Sequence, residues 1–463
     1  MKYSASLPLI VAAATQAFVI PNEAITEQLA LQQPEPAHDH DQWSSSWLDS
    51  IPSLDDIRSS AEDTFSNAID AVSDGAKSLL DALPDFDFDF EAADFFSPLV
   101  DVERERPGKG HKGHHGHHGE PHGPSNLTIY QAIHASKYST KFAALVDEYP
   151  DLVQTLNSTK HNITAFVPVD KAFEKIPEHH KKPPKEFIEK VLEYHLVPGL
   201  YSAKRVLVSH TLPTLVKEDA LGGKSQRLRT SVSLFGLRVN FYSKVVVANI
   251  LVSNGVIHGI DSILVPPPPA TRIIQLFPQK FSTLLLAAEK TGLSKDVDDI
   301  KTTGGTLFAP TNWAFEKLGP GANAFLFNTE KGLGYLKALL KYHTVANETL
   351  YSDAYYGRSE VDAETAQFHV DLPTLLDDKS LSIDIARWGG LIDIRINGFT
   401  HVSIQDGIAK DGVIQVVSSV LIPPHGEHGS YVDGNEIAVE ELMERLEPFL
   451  EDENKDGISV GEL

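Results

Sequence analysis

The segment Asn254–Pro267, NGVIHGIDSILVPP, returns 157 residues later as DGVIQVVSSVLIPP, Asp411–Pro424. Four more landmarks recur in the same order. AFVPVDKAFEKI (Ala165 to Ile176) matches LFAPTNWAFEKL (Leu307 to Leu318), and LEYHLV matches LKYHTV, aligning Tyr194-His195 with Tyr342-His343. RVN at Arg238 returns as RIN at Arg395, and LPTL occurs at Leu212 and at Leu372. The offsets drift only between 142 and 160 residues. A drifting offset with preserved order marks a duplicated domain that has gained and lost loop residues. The period is far too long for a solenoid, so the chain carries two whole domains in tandem.

Each copy follows one grammar. A stretch with helical spacing of apolar residues, such as KYSTKFAALVDEYPDLVQTL, comes first. A short apolar strand follows, ending in proline and then Asp170 or Asn312, residue types that suit a helix N-cap. A second helical pattern, PKEFIEKVLEYHLV, precedes runs rich in β-branched residues, with three or four strands expected across residues 231–265. The double proline stops the last strand, because proline has no N–H for the ladder. Helices first and strands last predict an α+β class, an antiparallel-rich twisted sheet against helices.

The strand–Pro–helix box FVPVDKAF/FAPTNWAF, the Tyr-His pair and the closing GVIHGIDSILVPP together resemble the fasciclin I domain, over roughly 125–265 and 270–423. The resemblance implies two tandem fasciclin-like β-sandwich or wedge domains flanked by helices. It implies adhesion or matrix proteins rather than enzymes, with cell-surface, matrix or wall proteins or glycans as partners. The layout resembles fungal secreted or vacuolar members. In the family the Tyr-His region is implicated in receptor contacts, which makes Tyr194, His195, Tyr342 and His343 candidate interaction residues. The alternative is that Tyr fills core and His satisfies a buried carbonyl.

His258 becomes Gln415 in the second copy. Gln reproduces the hydrogen bonds of neutral His but not its proton transfer. A packed, hydrogen-bonded role for His258 therefore stands against a binding or catalytic one. Catalysis has little to work with. There is no G-x-S-x-G elbow, H-E-x-x-H or glycine-rich phosphate loop, and Asp170 and Asp261 are replaced by Asn312 and Ser418 in the second copy. No enzyme is expected.

Charge separates the appendages from the domains. Of a net −24, residues 18–106 carry −17 and residues 425–463 carry −10, leaving the stretch between nearly neutral. No basic patch calls for nucleic acid. Residues 1–17 read as a secretory signal, with Lys2 before an apolar run. No later run is long enough for a membrane span, and the C-terminus lacks the apolar tail of a lipid-anchor signal. A secreted, extracellular or wall location is expected, with the vacuole lumen as alternative. Cysteine is absent, so these domains must stand on packing alone. Sequons at Asn126, Asn157, Asn162 and Asn347 predict a glycoprotein.

Three segments outside the repeats carry their own expectations. Residues 54–83 of the acidic region 18–106 have helical amphipathic spacing, ended by Pro84. The His/Gly-rich linker 107–124 holds His111, His114, His115, His117, His118 and His122, neutral imidazoles that suit Zn, Cu or Ni. A solvated linker is the plainer reading of that tract, and no dedicated cofactor is expected. In the acidic tail 425–463, Ile437, Leu442, Met443, Leu446, Phe449 and Leu450 form an amphipathic helix pattern. Beyond it, Asp452, Asn454 and Asp456 resemble an EF-hand loop that is one residue short, at most a weak calcium site.

Overall fold

The structure, a computed structural model, describes residues 126–175, 183–233, 236–293, 302–353, 365–376, 379–388, 391–424 and 436–450. The signal segment, the amphipathic stretch 54–83, the histidine tract and the EF-hand-like loop lie outside these residues.

The first domain opens with α1 (Ile129–Ala135), α2 (Thr140–Val146) and α3 (Pro150–Asn157). Thr128 and Gln131 close a reciprocal capping box on α1. The single helical stretch expected over KYSTKFAALVDEYPDLVQTL is two helices. Pro150 cannot continue α2 but suits the first turn of α3, where its missing N–H would be unbonded anyway. Then come β1 (Ile163–Pro168), the short α4 (Asp170–Phe173), α5 (Lys185–Tyr194), β2 (Leu196–Pro198) and α6 (Ala203–Val208). Five strands complete it: β3 (Thr211–Glu218), β4 (Lys224–Ser233), β5 (Gly236–Val239), β6 (Ser243–Val252) and β7 (Gly255–Ile260).

These strands form one seven-stranded sheet in the order β2-β1-β7-β6-β5-β4-β3. The second domain contributes α7 (Ala270–Leu276), α8 (Pro278–Thr291), β8 (Gly305–Pro310), α9 (Asn312–Glu316), α10 (Pro320–Asn328), α11 (Glu330–Tyr342) and β9 (Thr344–Ala346). It continues through β10 (Thr365–Pro373), β11 (Ser380–Trp388), β12 (Leu391–Ile396), β13 (Thr400–Ala409) and β14 (Gly412–Val417). Its sheet order, β10-β11-β12-β13-β14-β8-β9, is the first order read backwards with each strand replaced by its repeat equivalent. The wedge takes the form of one curled sheet per domain.

Antiparallel pairing dominates, with one exception in each sheet. β1 runs parallel to β7, and β8 parallel to β14. β1 and β7 are buried along their whole length, which is why both boxes read as unbroken apolar runs. The sheets curl at register shifts in β6–β7 and β13–β14. Asn249 and Asp406 sit at those shifts with φ of 61° and 60°, a conformation Asn and Asp tolerate.

The C-terminal segment belongs to the second domain. α12 (Val439–Leu446) lays Leu442 and Leu446 into that domain's core, and the backbone of Ile437 donates to Leu318. Met443, Phe449 and Leu450 pack at its margin.

The domains meet face to face. From β4, Gln226 Nε2 donates to the Ala409 carbonyl and Arg229 Nε to the Gln405 carbonyl, both at 2.9 Å. Asp353, following β9, accepts from Thr211 Oγ1 at 2.6 Å and from Thr211 N–H at 3.1 Å, and lies 3.3 Å from Arg227 Nη1. Further bonds run from Gly304 N–H to the Ala220 carbonyl and from Arg387 Nη2 to the Val208 carbonyl. The joining segment is four consecutive prolines, 266–269, fastened at both ends of the 410–411 turn. Lys410 N–H donates to the Pro268 carbonyl, and Asp411 accepts from Ala270 N–H.

Candidate functional site

The recurring motifs converge inside each domain. α5 ends at Tyr194 and α11 at Tyr342, each followed by a histidine that turns back under the helix. His195 Nδ1 lies 2.7 Å from the Val191 carbonyl, so it must carry the proton; its Nε2 accepts the Leu264 N–H at 2.9 Å. In the second copy His343 Nδ1 meets the Leu339 carbonyl at 2.8 Å and Nε2 accepts from Leu421 N–H at 2.9 Å. The imidazole therefore rivets the last turn of a helix to the leucine of the closing box. That accounts for the two motifs travelling together. Burial holds both rings neutral, with pKa lowered to about 4.

The tyrosines are tied by the third motif. Asn240 and Asn397, the asparagines of RVN and RIN, sit in turns with φ of 50° and 51°. Each donates Nδ2 to its domain's tyrosine hydroxyl at 3.0 Å, Asn240 to Tyr194 and Asn397 to Tyr342. Their Oδ1 atoms accept the N–H of Arg229 and of Ser382. The Tyr194 hydroxyl in turn donates to the Arg227 carbonyl.

Tyr194 and Tyr342 are 0% exposed, His195 and His343 1%. As candidate interaction residues the four need correcting: no partner reaches them in the folded domain. They shape the surface from beneath by crosslinking helix, hairpin and final strand.

His258 has the packed role, and Gln415 reproduces it. His258 Nε2 donates to the Tyr201 carbonyl at 2.8 Å and Nδ1 accepts the Asn249 N–H at 3.3 Å. Gln415 Nε2 donates to the Leu350 carbonyl at 2.8 Å, and its Oε1 accepts the Asp406 N–H at 3.1 Å. The amide spans the same two backbone groups. His258→Gln should therefore cost less than about 1 kcal/mol, whereas His258→Ala, which strands buried polar groups and opens a cavity, should cost about 3 kcal/mol. Urea unfolding of the two variants checks the contrast.

Asp170 and Asn312 serve earlier helices rather than the ones they open. Asp170 accepts from Thr140 Oγ1 and Lys141 N–H at the start of α2, and Asn312 Oδ1 accepts from Thr283 N–H in α8. The cap of α9 is Thr311. Asp261 accepts from Lys244 N–H.

Among the described residues no group of three His, Asp or Glu side chains is placed to hold a metal ion. What faces outward is different in kind. The sequon residues Asn126, Asn157, Asn162 and Asn347 are all exposed. Asn157 and Asn347 engage Oδ1, with Thr128 Oγ1 and Thr303 N–H, and not the amide nitrogen that a glycan would take. Trp313 stands 52% exposed at the start of α9, with Lys317 Nζ 3.8 Å from its ring centroid. No described helix is long and apolar enough to cross a membrane.

The contact between domains escaped the sequence reading. Its charged members include Arg387 as well as Arg227, Arg229, Asp353 and Asp406, with Arg227 and Arg229 more than 120 residues from the other three. Aligning the copies would have flagged the last four. Asp353 and Asp406 stand where the first copy has Lys204 and Asn249, and Arg227 and Arg229 where the second has Ser380 and Ser382.

Comparison with known proteins agrees with the internal symmetry. The Fasciclin domain matches residues 137–266 and again 279–423. The aurofusarin biosynthesis cluster protein S of Gibberella zeae is 31% identical over 366 residues, 72% of this chain and 89% of that protein. Human periostin is 28% identical over 199 residues, 41% of this chain, which spans only 21% of periostin's length. A solved FAS1 domain pair from the insect cell adhesion molecule fasciclin I is 18% identical, covers 61% of this chain and 96% of its own, and superimposes with a TM-score of 0.30. With both domains matched, and with a relative similar along nearly its whole length, this chain belongs to the fasciclin-domain family.

Proposed function

We propose that this protein is a non-enzymatic glycoprotein of the secretory route that works by surface contact, its paired fasciclin domains binding cell-surface, matrix or wall proteins or glycans. The observation that carries the reading is the interior position of both recurring Tyr-His pairs. Tyr194, His195, Tyr342 and His343 are consumed by backbone hydrogen bonds, which leaves exposed faces as the working parts. Fasciclin domains also occur in cell-adhesion proteins such as periostin, which supports a contact role. Glycans at the four exposed sequons would suit secretion to the wall or delivery to the vacuole lumen.

Immobilised purified protein should bind wall or matrix polymers saturably, and deleting residues 109–123 should leave that binding intact. Turnover of a small-molecule substrate by the purified protein would overturn the reading. The same deletion tests a metal-handling alternative, in which the histidine tract binds Zn, Cu or Ni: only then should metal tolerance fall. A second reading is favoured by the likeness to a biosynthesis cluster protein along 89% of its length. In it the exposed faces hold partner enzymes rather than wall, and affinity capture from the native secretions would recover enzymes in place of polymers.

A further inference from the structure

Asp170 gathers a basic patch where β1 ends and α4 begins. Its N–H donates to the Tyr138 carbonyl at 2.7 Å, and its carboxylate accepts from Thr140 Oγ1 at 2.8 Å and from the Lys141 N–H at 2.9 Å. Lys137, Tyr138, Lys141 and Lys171 are thereby held at one place on the first domain, and all four are exposed. Lys137 Nζ lies 5.0 Å from the Tyr138 ring centroid. Asp170, the carboxylate in their midst, is already taken by two donors, and Lys175 at the border is tied to Ser262 Oγ at 2.9 Å. The fold does not ask for the three lysines. Asn312 accepts from Thr283 N–H as Asp170 does from Lys141, which fixes the match between the copies. Gln279, Thr283 and Trp313 then stand where the first copy has Lys137, Lys141 and Lys171. Whole-domain charge follows suit, with 17 basic against 12 acidic residues over 125–265 and 14 against 18 over 270–423.

The complement of this patch lies in the same chain. Residues 85–96, DFDFDFEAADFF, hold five carboxylates, five phenylalanines and no cation, inside a region of net −17. In an extended run the alternation of DFDFDF would turn its aspartates to one side and its phenylalanines to the other. Lysines beside a tyrosine ring offer that pattern both of its counterparts, cation for carboxylate and ring for ring. The segment is also within reach. The 29 residues 97–125 join it to Asn126, and a chain of that length can span up to about 100 Å. Between Asn126 and the patch stands little more than α1, whose seven residues rise about 10 Å. A tether of this kind sets an effective concentration on the order of millimolar, which favours the attached segment over a free acidic polymer.

We infer that the acidic, phenylalanine-rich segment 85–96 docks on this patch of its own chain, its aspartates against Lys137, Lys141 and Lys171 and a phenylalanine against Tyr138. The docked segment covers a face of the first domain. An outside partner meets that face only after displacing the segment or after the acidic region has been cut away. Ion pairs here stay close to solvent, where each contributes little and salt screens it. The docking is therefore an equilibrium, sustained by the tether and released by ionic strength. It does not depend on which polymer or protein the domains bind.

The chain has no cysteine, so fluorophores go only where Ala92→Cys and Ala144→Cys put them, Ala144 being exposed on α2 one turn beyond Lys141. Single-molecule energy transfer in the full chain at about 0.05 M salt should show a high-transfer population, and about 0.5 M salt should dissolve it. Reversing the patch with Lys137→Glu, Lys141→Glu and Lys171→Glu together should lower the docked-to-free ratio at least about tenfold. Phe86→Ser, Phe88→Ser and Phe90→Ser, which leave every charge in place, should lower it about threefold. Lys160→Glu, Lys217→Glu and Lys224→Glu make the same change in charge at exposed sites elsewhere on the domain, and should leave the ratio within about twofold of wild type. A wild type with no high-transfer population at low salt overturns the inference. So does a population that survives reversal of the patch or loss of the phenylalanines, or one that the second set of reversals lowers as much as the first. Energy transfer between two singly labelled copies would assign the patch to another molecule and overturn it as well.

Discussion

Gly255→Ala should abolish the stable fold of the first domain, at a cost of at least about 4 kcal/mol. β7 begins where Gly255 lies directly against the β1 backbone, paired with Ile163. A Cβ there would stand 1.9 Å from the Ile163 carbonyl oxygen and 2.9 Å from Ile129 Cδ1. The oxygen is backbone in a fully buried strand and cannot rotate away, so relief requires separating the only parallel pair in that sheet. The repeat sets a matching test. Gly412→Ala would place a Cβ 2.2 Å from the Gly305 oxygen and should disable the second domain instead. Urea unfolding followed by proteolysis identifies which half is lost. Wild-type unfolding of Gly255→Ala would mean that β7 does not start against β1.

Acid should destabilise the first domain about twice as steeply as the second. His195 and His258 in the first, and His343 in the second, are held neutral by burial with pKa lowered to about 4. In the unfolded chain a histidine returns to about 6.5. The unfolded state therefore binds the extra protons, and the stability these rings contribute is complete above about pH 6.5 and is lost as pH falls towards about 4. Between about pH 7 and 5 each ring accounts for roughly 2 kcal/mol, hence about 4 kcal/mol in the first domain and about 2 in the second. Because Gln415 already fills the fourth place, His258→Gln should bring the two pH slopes together. Urea midpoints across that range decide it; equal slopes in the wild type would show that the rings are not neutral and buried as described.

Much of this was legible in the residues, and the failures share a cause. The duplication, the strand-rich second half and the packed role of His258 all follow from patterns that backbone periodicity and hydrogen-bond chemistry leave in a linear string. The His258-to-Gln415 exchange was the most informative, because an amide keeps two hydrogen bonds and gives up proton transfer. Tyr194-His195 and Tyr342-His343 went the other way. A polar pair kept in both copies reads equally as surface or interior until the carbonyls of Val191 and Leu339 are seen above the rings. The caps expected of Asp170 and Asn312 failed for a related reason: each side chain serves a helix about 30 residues earlier, a distance that local capping rules do not reach. The parallel pairs β1–β7 and β8–β14 were hidden too, since a buried strand shows no alternation from which direction or partner could be inferred.

The four-proline joint has a consequence for anything that touches both halves. Prolines cannot swivel freely, and here the segment is also pinned to the 410–411 turn. The two outward surfaces are thus presented at one set bearing, like the jaws of a gauge. A ligand with two footholds spaced to match gains its second foothold without first having to arrest a wandering domain. A ligand with the wrong spacing receives no such help from a pliable tether.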